Sequence, residues 1–439
     1  MSALLDELID LLRIPSVSTG GGDAAALTRS AEWICERIRA AGGQAEPVSL
    51  DGGHPMAVGE LRCSDPEAPT VIAYGHHDVQ HPGPLEAWES PPFEPTERGG
   101  RLYARGAADD KGNFLPLLHV ACELARGGEL PVHVRFLVEG EEEVGSRSAM
   151  RWIRKDARGG DCALAFDSMM LDEDTPAIAI GARGMVTAGV EVHTGERDLH
   201  SGVYGGAVLN AAHVLHTLLA EVVPDATGRV RDELRAGVAT PTDAERATWA
   251  RLRHGNEVIA SVGGRAVSPG AADAFYERTG ADTSVDLNQV WVGEPRTIVL
   301  HVAHAHVSVR LAAGQSASVI GAEVERLLRS ATPPGAEVAL EMQLAEPALF
   351  DASDPAIELS AAAIGRACGT APVMTRLGGT LPVLAEFAAK GIPTVLSGFA
   401  LDDDAYHAPN ESYRLESLRL GERSARELYL GLADLRRSR

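Results

Sequence analysis

Histidines and carboxylates gather in five short stretches of this 439-residue chain. They are Gly75-His76-His77-Asp78, Ala108-Asp109-Asp110-Lys111-Gly112, Glu139-Gly140-Glu141-Glu142-Glu143, Phe166-Asp167 and Tyr406-His407. Each sits where a short apolar run ends or a helix begins. Imidazole nitrogens mixed with carboxylate oxygens suit divalent metal ions, which polarise carbonyls and acidify water. His76 and Asp78 stand two apart, so in extended chain they share a side, and Asp78 could orient a metal-bound His76 through its second ring N–H. His77 falls between them and points away. Glu142 and Glu143 are neighbours after an apolar run, so their side chains diverge and can serve different tasks. Metal-dependent hydrolysis is the chemistry these residues point to.

Such groups must be brought together by the elements before them. Residues 71–74, 132–138 and 162–166 read as buried strands, and His407 follows shortly after the apolar run 393–396. Open α/β sheets bind ligands in the crevice beyond the carboxyl ends of their strands. One crevice could therefore collect side chains from distant parts of the chain. Helical spacing recurs in 4–12, which stops before Ile14-Pro15, and around Trp33, Ile34 and Ile38, ending at Gly42-Gly43. Further strand-like runs lie at 56–61 and 177–180, and helices are expected over 110–125 and 146–154. Strands alternating with helices imply a mainly parallel sheet covered on both faces.

After Gly181-Ala182-Arg183-Gly184 the rhythm changes. Residues 186–193 alternate as a half-buried strand, 209–222 and 319–330 read as helices, and 297–311 and 338–344 as strands. This order is consistent with a small ferredoxin-like sandwich. Residues 225–294 are polar and carry weak signals. The α/β pattern resumes near Asp354, so one domain is inserted in another: 1–183 and 350–439 form the first, 184–349 the second.

The length allows roughly two to four domains. A net charge of −22 excludes a basic footprint for nucleic acid or anionic membrane. The five scattered cysteines form no C-x-x-C pair and read as reduced. The acidic start and the lack of any apolar run near ~18 residues point to a soluble cytoplasmic protein.

Several segments carry a family resemblance. They are Gly75-His76-His77-Asp78-Val79-Gln80, Trp88-Glu89-Ser90-Pro91-Pro92-Phe93, Arg105-Gly106-Ala107-Ala108-Asp109-Asp110-Lys111-Gly112, Leu199-His200-Ser201-Gly202-Val203-Tyr204-Gly205-Gly206 and Gly378-Gly379-Thr380-Leu381-Pro382. With Ile14-Pro15-Ser16-Val17-Ser18 at one end and His407-Ala408-Pro409-Asn410-Glu411 at the other, the chain resembles the dinuclear metallopeptidases. These include carnosinases, glutamate carboxypeptidases, aminoacylases and succinyl-diaminopimelate desuccinylase, and the carnosinase-like dipeptidase branch is the nearest. The resemblance implies a mainly parallel-sheet catalytic domain with an inserted ferredoxin-like lid and dimerisation domain. It implies that Asp109 bridges two divalent ions, with His76 and Asp167 on the first and Glu143 and His407 on the second. Zinc is the first expectation and manganese the alternative. Glu142 would act as general base toward a hydroxide shared by ions about 3.5–4 Å apart. Without the resemblance, Asp109 or Asp110 would read as a helix N-cap.

The resemblance also implies that His200 reaches the active site of a partner subunit, making the protein a homodimer through the lid. Arg310 would bind the free carboxylate of a small peptide substrate, and the Gly379-Thr380 turn would serve the same end. Ser201 beside His200 is not expected to act as a nucleophile, and His301, His304 and His306 read as surface or interface residues. Leu377, Val299-Leu300 and Gln289 depart from residues frequent in the family, which bears on substrate preference rather than on the metal set. An N-acyl-amino-acid deacylase or desuccinylase is the alternative activity. A catalytically silent binding protein is the alternative of another class.

Overall fold

The computed structural model describes residues 2–20, 22–294 and 296–438. The chain divides into two compact units, one comprising Met1–Ile180, Phe350–Met374 and Glu386–Arg439, the other Gly181–Leu349 and Thr375–Ala385.

The first unit is built on one large sheet. Its centre is parallel: Thr70–His76 pairs with His133–Glu139 and with Cys162–Phe166, which in turn pairs with Thr394–Ser397. These strands are buried along nearly their whole length, as expected of a sheet covered on both faces, and this is why they read as unbroken apolar runs. Toward one margin the pairing turns antiparallel, through Met56–Leu61 and then Gln44–Val48. Toward the other margin Ala179, in Ala177–Ala182, sits antiparallel to Leu396. The helix Lys111–Gly127 begins after Asp110 and ends at Gly128 in the left-handed region, φ 70°. Pro355–Cys368 is punctuated by a capping Asp354, a proline at its first position and Gly369 at φ 77°.

The second unit is a four-stranded antiparallel sheet in the order Ser284–Trp291, Val302–Leu311, Gly184–His193, Glu337–Ala345. In chain order its elements run strand, helix, strand, strand, helix, strand, which is the ferredoxin-like arrangement. Alternate residues Val186, Ala188, Val190 and Val192 turn to a core shared with Leu215 and Leu218 of Ala211–Ala220 and with Ile320 and Val324 of Ala317–Ser330. The weakly patterned stretch holds the short helices Asp243–Trp249, Gly255–Ser261 and Pro269–Asp273, and the edge strand Ser284–Trp291. Among the described residues there is no disulfide and no helix long and apolar enough to cross a membrane.

Candidate metal centre

Three of the parallel strands of the first unit carry titratable groups at their carboxyl ends. His76 is the last residue of its strand and lies in register with Glu139, the last of the next. Asp167 follows Cys162–Phe166 directly. The start of Lys111–Gly127 lies close to the sheet: a Cβ on Gly75 would sit 2.6 Å from the Phe114 ring, and one on Gly112 only 2.0 Å from the Ala107 carbonyl. Glycine at both positions lets the loop bearing Asp109 fold over the helix start. Within that loop the Asp109–Asp110 peptide is cis.

Two triads result. His76 Nε2 lies 3.0 Å from Asp109 Oδ1 and 3.9 Å from Asp167 Oδ1. His407 Nε2 lies 2.9 Å from Asp109 Oδ2 and 3.2 Å from Glu143 Oε2. The ligand atoms of each triad all fall within 4.8 Å of one another. Asp109 thus turns one carboxylate oxygen to each histidine. The buried Glu143 Oε1 has no hydrogen-bond partner. One nitrogen and carboxylate oxygens from two side chains per triad, with a shared bridging group, fit two neighbouring divalent ions.

Asp78 is the hub beneath. His76 Nδ1 faces its main-chain oxygen at 3.0 Å and its carboxylate at 3.5 Å. The same carboxylate accepts bonds from Ser18 Oγ at 2.6 Å and from the Glu142 and Glu143 amides at 3.2 Å each. One buried anion therefore orients a ligand histidine and holds the single turn Glu142–Val144 that carries both glutamates. His77 points away, to the Pro55 carbonyl at 2.9 Å. Asp110 accepts the His76 amide at 3.2 Å. The Glu142 carboxylate makes no hydrogen bond to any described residue.

Glu411, read above only as the end of a motif, turns out to organise the loop. Its Oε1 accepts from the amides of Ala108, at 2.9 Å, and Asp109, at 3.1 Å. Its Oε2 accepts from the Gly106 amide at 3.0 Å and from Arg105 Nη1 at 2.6 Å. Both Arg105 and Glu411 are buried. No local pattern marks Glu411, whose partners lie some 300 residues away. Gln80 was likewise missed; it donates to Glu143 Oε2 at 2.8 Å. His407 itself has left-handed backbone, φ 62°, strain of a kind that collects at functional sites.

The electrostatics follow from crowding. Burial opposes charge on His76, but hydrogen bonds to Asp109 and Asp78 overcome it and hold the imidazole well above its ordinary range. Bonds to Asp109 and Glu143 lift His407 to about 10. Burial would raise Asp109, yet the bonds from His407 and His76 win and hold it below the usual carboxylate range. Burial, aided by nearby carboxylates against the pull of His76, pushes Asp167 well up and Glu142 to about 8. Perturbed acids and bases packed together in this way mark a candidate active site.

A further group, His119, Glu123 and Glu422, also meets the distance test. There Glu7 lies 2.7 Å from His119 Nδ1 and Arg426 donates to Glu123 at 2.9 Å, so it reads as an ion-pair knot among helices.

The remaining candidates lie in the second unit. His200 is exposed and caps the short helix Ser201–Tyr204, its Nδ1 accepting from the Gly202 amide at 3.1 Å. Ser201 Oγ donates to the Thr297 carbonyl at 3.0 Å, which leaves no Ser-His pair. Arg310 Nη1 donates to Thr380 Oγ1 at 2.8 Å, and the exposed Gly379 precedes it. His301 and His304 face Asp198 and Glu191, and His306 faces Asn288. These three histidines form no group of their own.

The sequence profile of peptidase family M20/M25/M40 matches residues 72–430. Beta-Ala-His dipeptidase of Rattus norvegicus is 33% identical over 219 residues, 46% of this chain and 44% of that protein. Over this match the chain thus spans less than half the relative's length. Cysteinylglycine-S-conjugate dipeptidase of Corynebacterium striatum is 29% identical over 348 residues, 74% of each chain. The solved structure of the dipeptidase Dug1p from Saccharomyces cerevisiae superposes with a TM-score of 0.81, covering 99% of this chain and 96% of that one at 23% identity, a likeness of fold.

Proposed function

The chain belongs to peptidase family M20/M25/M40, in its carnosinase-like branch, and from that premise we propose that it hydrolyses the amide bond of dipeptides or short peptides bearing a free carboxylate. Two divalent cations would be held, one by His76, Asp109 and Asp167, the other by Asp109, Glu143 and His407, zinc being the first choice and manganese the alternative. The observation that carries this reading is the pair of triads sharing Asp109, with Glu142 beside them. The names of the rat and corynebacterial relatives support the dipeptide class.

Bound cations supply Lewis acidity to the scissile carbonyl and acidify water. Glu142 takes a proton from the attacking water and returns it to the departing amine. Burial and neighbouring carboxylates, against His76, lift its carboxyl to about 8 before any cation is bound; the positive charge of bound cations would bring it down toward the range in which it can take and return a proton near neutral pH. Asp78 keeps His76 in one orientation and fixes the turn from which Glu142 projects. Arg310, Thr380 and Gly379 bind the substrate's carboxylate. The protein works as a cytoplasmic homodimer through residues of 184–349, with His200 serving the partner's site, and takes neither nucleic acid nor membrane as partner.

Glu142→Gln tests the assignment. Turnover should fall by about 10²–10⁴-fold while metal analysis still returns two ions per chain. Normal activity in that variant removes Glu142 as the base. A panel of dipeptides and N-acyl amino acids run beside it decides the substrate, since hydrolysis of the acyl compounds alone would make the protein a deacylase. Loss of hydrolysis on chelation separates both from a silent scaffold.

A further inference from the structure

Arg183 was singled out by neither the motifs nor the metal chemistry, yet it lies beside Arg310 in the second unit. Arg310 sits on a central strand, flanked by Met185 on one side and Ser284 on the other. Arg183 stands two residues before Met185, and its Nη1 reaches Ser284 Oγ at 3.1 Å. To do so, the Arg183 side chain reaches over the Leu311 end of that strand, near enough to Arg310 to feel its charge. Both guanidiniums then grip one segment. Arg183 bonds the Leu377 carbonyl through its amide at 3.2 Å and the Gly378 carbonyl through Nε at 2.9 Å, while Arg310 holds Thr380 Oγ1 at 2.8 Å. A Cβ on Gly378 would meet the Thr279 carbonyl at 2.7 Å, so the turn is seated tightly. The Gly379 amide has no acceptor among the described residues.

Neither arginine is ion-paired among the described residues. Two carboxylates are near enough for Arg183 to feel their charge: Asp286, which bonds to neither arginine, and Asp282, which is engaged by Arg235 through two bonds of 3.0 Å. Two half-buried cations side by side, with no carboxylate bonded to either, are an unfavourable arrangement that an anion entering the space they share would relieve. Burial, and after it the Arg310 charge, pulls Arg183 down to about 10. The donors left over (guanidinium N–H groups, the Thr380 hydroxyl and the Gly379 amide) match a planar carboxylate.

We propose that Arg183 is a positioning and specificity residue that holds the 377–380 turn against Arg310 and supplies the second positive charge by which the protein selects ligands with a free carboxylate over neutral ones. The inference rests on the peptidase reading for the identity of the ligand, not for the existence of the anion site.

The test uses the metal-loaded protein and two substrates, a dipeptide with a free carboxylate and its C-terminal amide. In Arg183→Gln, KM for the acid should rise about tenfold or more, the scale of a lost charge-assisted bond. The same variant should leave kcat within threefold and KM for the amide within twofold. Ser284→Ala, which frees Nη1 but keeps the charge, should shift the same ratio by less, and it stands in if the first variant fails to fold. Equal changes for acid and amide, or an unchanged acid KM, would overturn the proposal. Binding is read separately in the Glu142→Gln background by titration with N-acetylglycine and N-acetylglycinamide. There Arg183→Gln should abolish most of the preference for the acid, and an undiminished preference overturns the proposal. Protein that prefers N-acetylglycine through Arg183 but cleaves no dipeptide would overturn the peptidase reading and leave the anion site standing.

Discussion

Replacing Glu411 by glutamine should loosen the metal centre without touching a ligand. The carboxylate accepts four bonds, from Arg105 Nη1 and the amides of Gly106, Ala108 and Asp109. Burial pushes its carboxyl above the ordinary range although Arg105 pulls it down, so the charge by itself contributes little, as is common for buried pairs. The acceptors matter more. Glutamine has one oxygen, which can serve Arg105 and Gly106, or Ala108 and Asp109, but not both. Its NH₂ then faces two donors. Each buried N–H left without an acceptor costs about 1–3 kcal/mol, and a buried arginine stripped of its partner about 3–5 kcal/mol. Either orientation therefore predicts a loss of roughly 3–5 kcal/mol. With a urea dependence near 3 kcal/mol per molar, the midpoint should fall by about 1 M or more. Urea titration of the metal-stripped protein followed by circular dichroism measures this. Because either orientation leaves two donors of the loop bearing Asp109, or its Arg105 anchor, without an acceptor, metal affinity should also drop, read by competition with a chelator. A midpoint within about 0.3 M of wild type, together with unaltered metal retention, would refute the reasoning.

Other outcomes follow from the same structure. Metal loading at pH 7 should expel about two to three protons, because His76 and His407 are held charged, His407 to about 10, and Asp167 is pushed well up toward its neutral form, and each must give up its proton to bind an ion; calorimetry in two buffers of different ionisation enthalpy detects this, and equal heats would contradict the ligand assignment. Lys111, whose ammonium bonds the Leu11 and Ile14 carbonyls at 3.1 and 2.8 Å, is pulled to about 7 by burial. The folded state then binds fewer protons than the unfolded chain between about 7 and 10.5, so stability rises with pH across that window; Lys111→Met should flatten the rise, worth up to about 2 kcal/mol between pH 7 and 9, as read from urea midpoints at both values. If His200 serves a partner's site, His200→Ala and Glu142→Gln are each inactive alone, and mixed dimers of the two should regain activity, measured after co-refolding; none regained means His200 acts otherwise.

How much of this was legible depends on burial. The central strands Thr70–His76, His133–Glu139 and Cys162–Phe166 are covered on both faces, so their sequences are unbroken apolar runs and could be read directly. Gln44–Val48 is a marginal strand with a proline and hardly any buried side chain, and it left no such trace. Ser284–Trp291 failed for a related reason. It is an edge strand, exposed from Asp286 onward, with a bulge between Leu287 and Gln289 that breaks the two-residue period. The helix after Thr242 did leave a local mark, since Thr242 and Glu245 form a reciprocal cap.

The site divides along the same line. His76, Asp167 and the Glu142-Glu143 pair follow strands that can be read, so their position at the sheet's carboxyl edge was inferable. What fixes their geometry was not. Glu142 and Glu143 diverge because they occupy a tight turn, not because they continue a strand, and that turn is held by Asp78 bonding both amides from more than 60 residues away. Ser18 in turn holds Asp78 across 60 residues, and Glu411 holds the Asp109 loop across 302. Ligand types can be read from a sequence because chemistry restricts them to a few residues. The groups that aim the ligands act through amides and hydroxyls, which any stretch of chain can present, so their partners emerge only once the backbone is folded. Asp78 and Glu411 are therefore where substitution should damage the centre most for the least visible change in its ligand set.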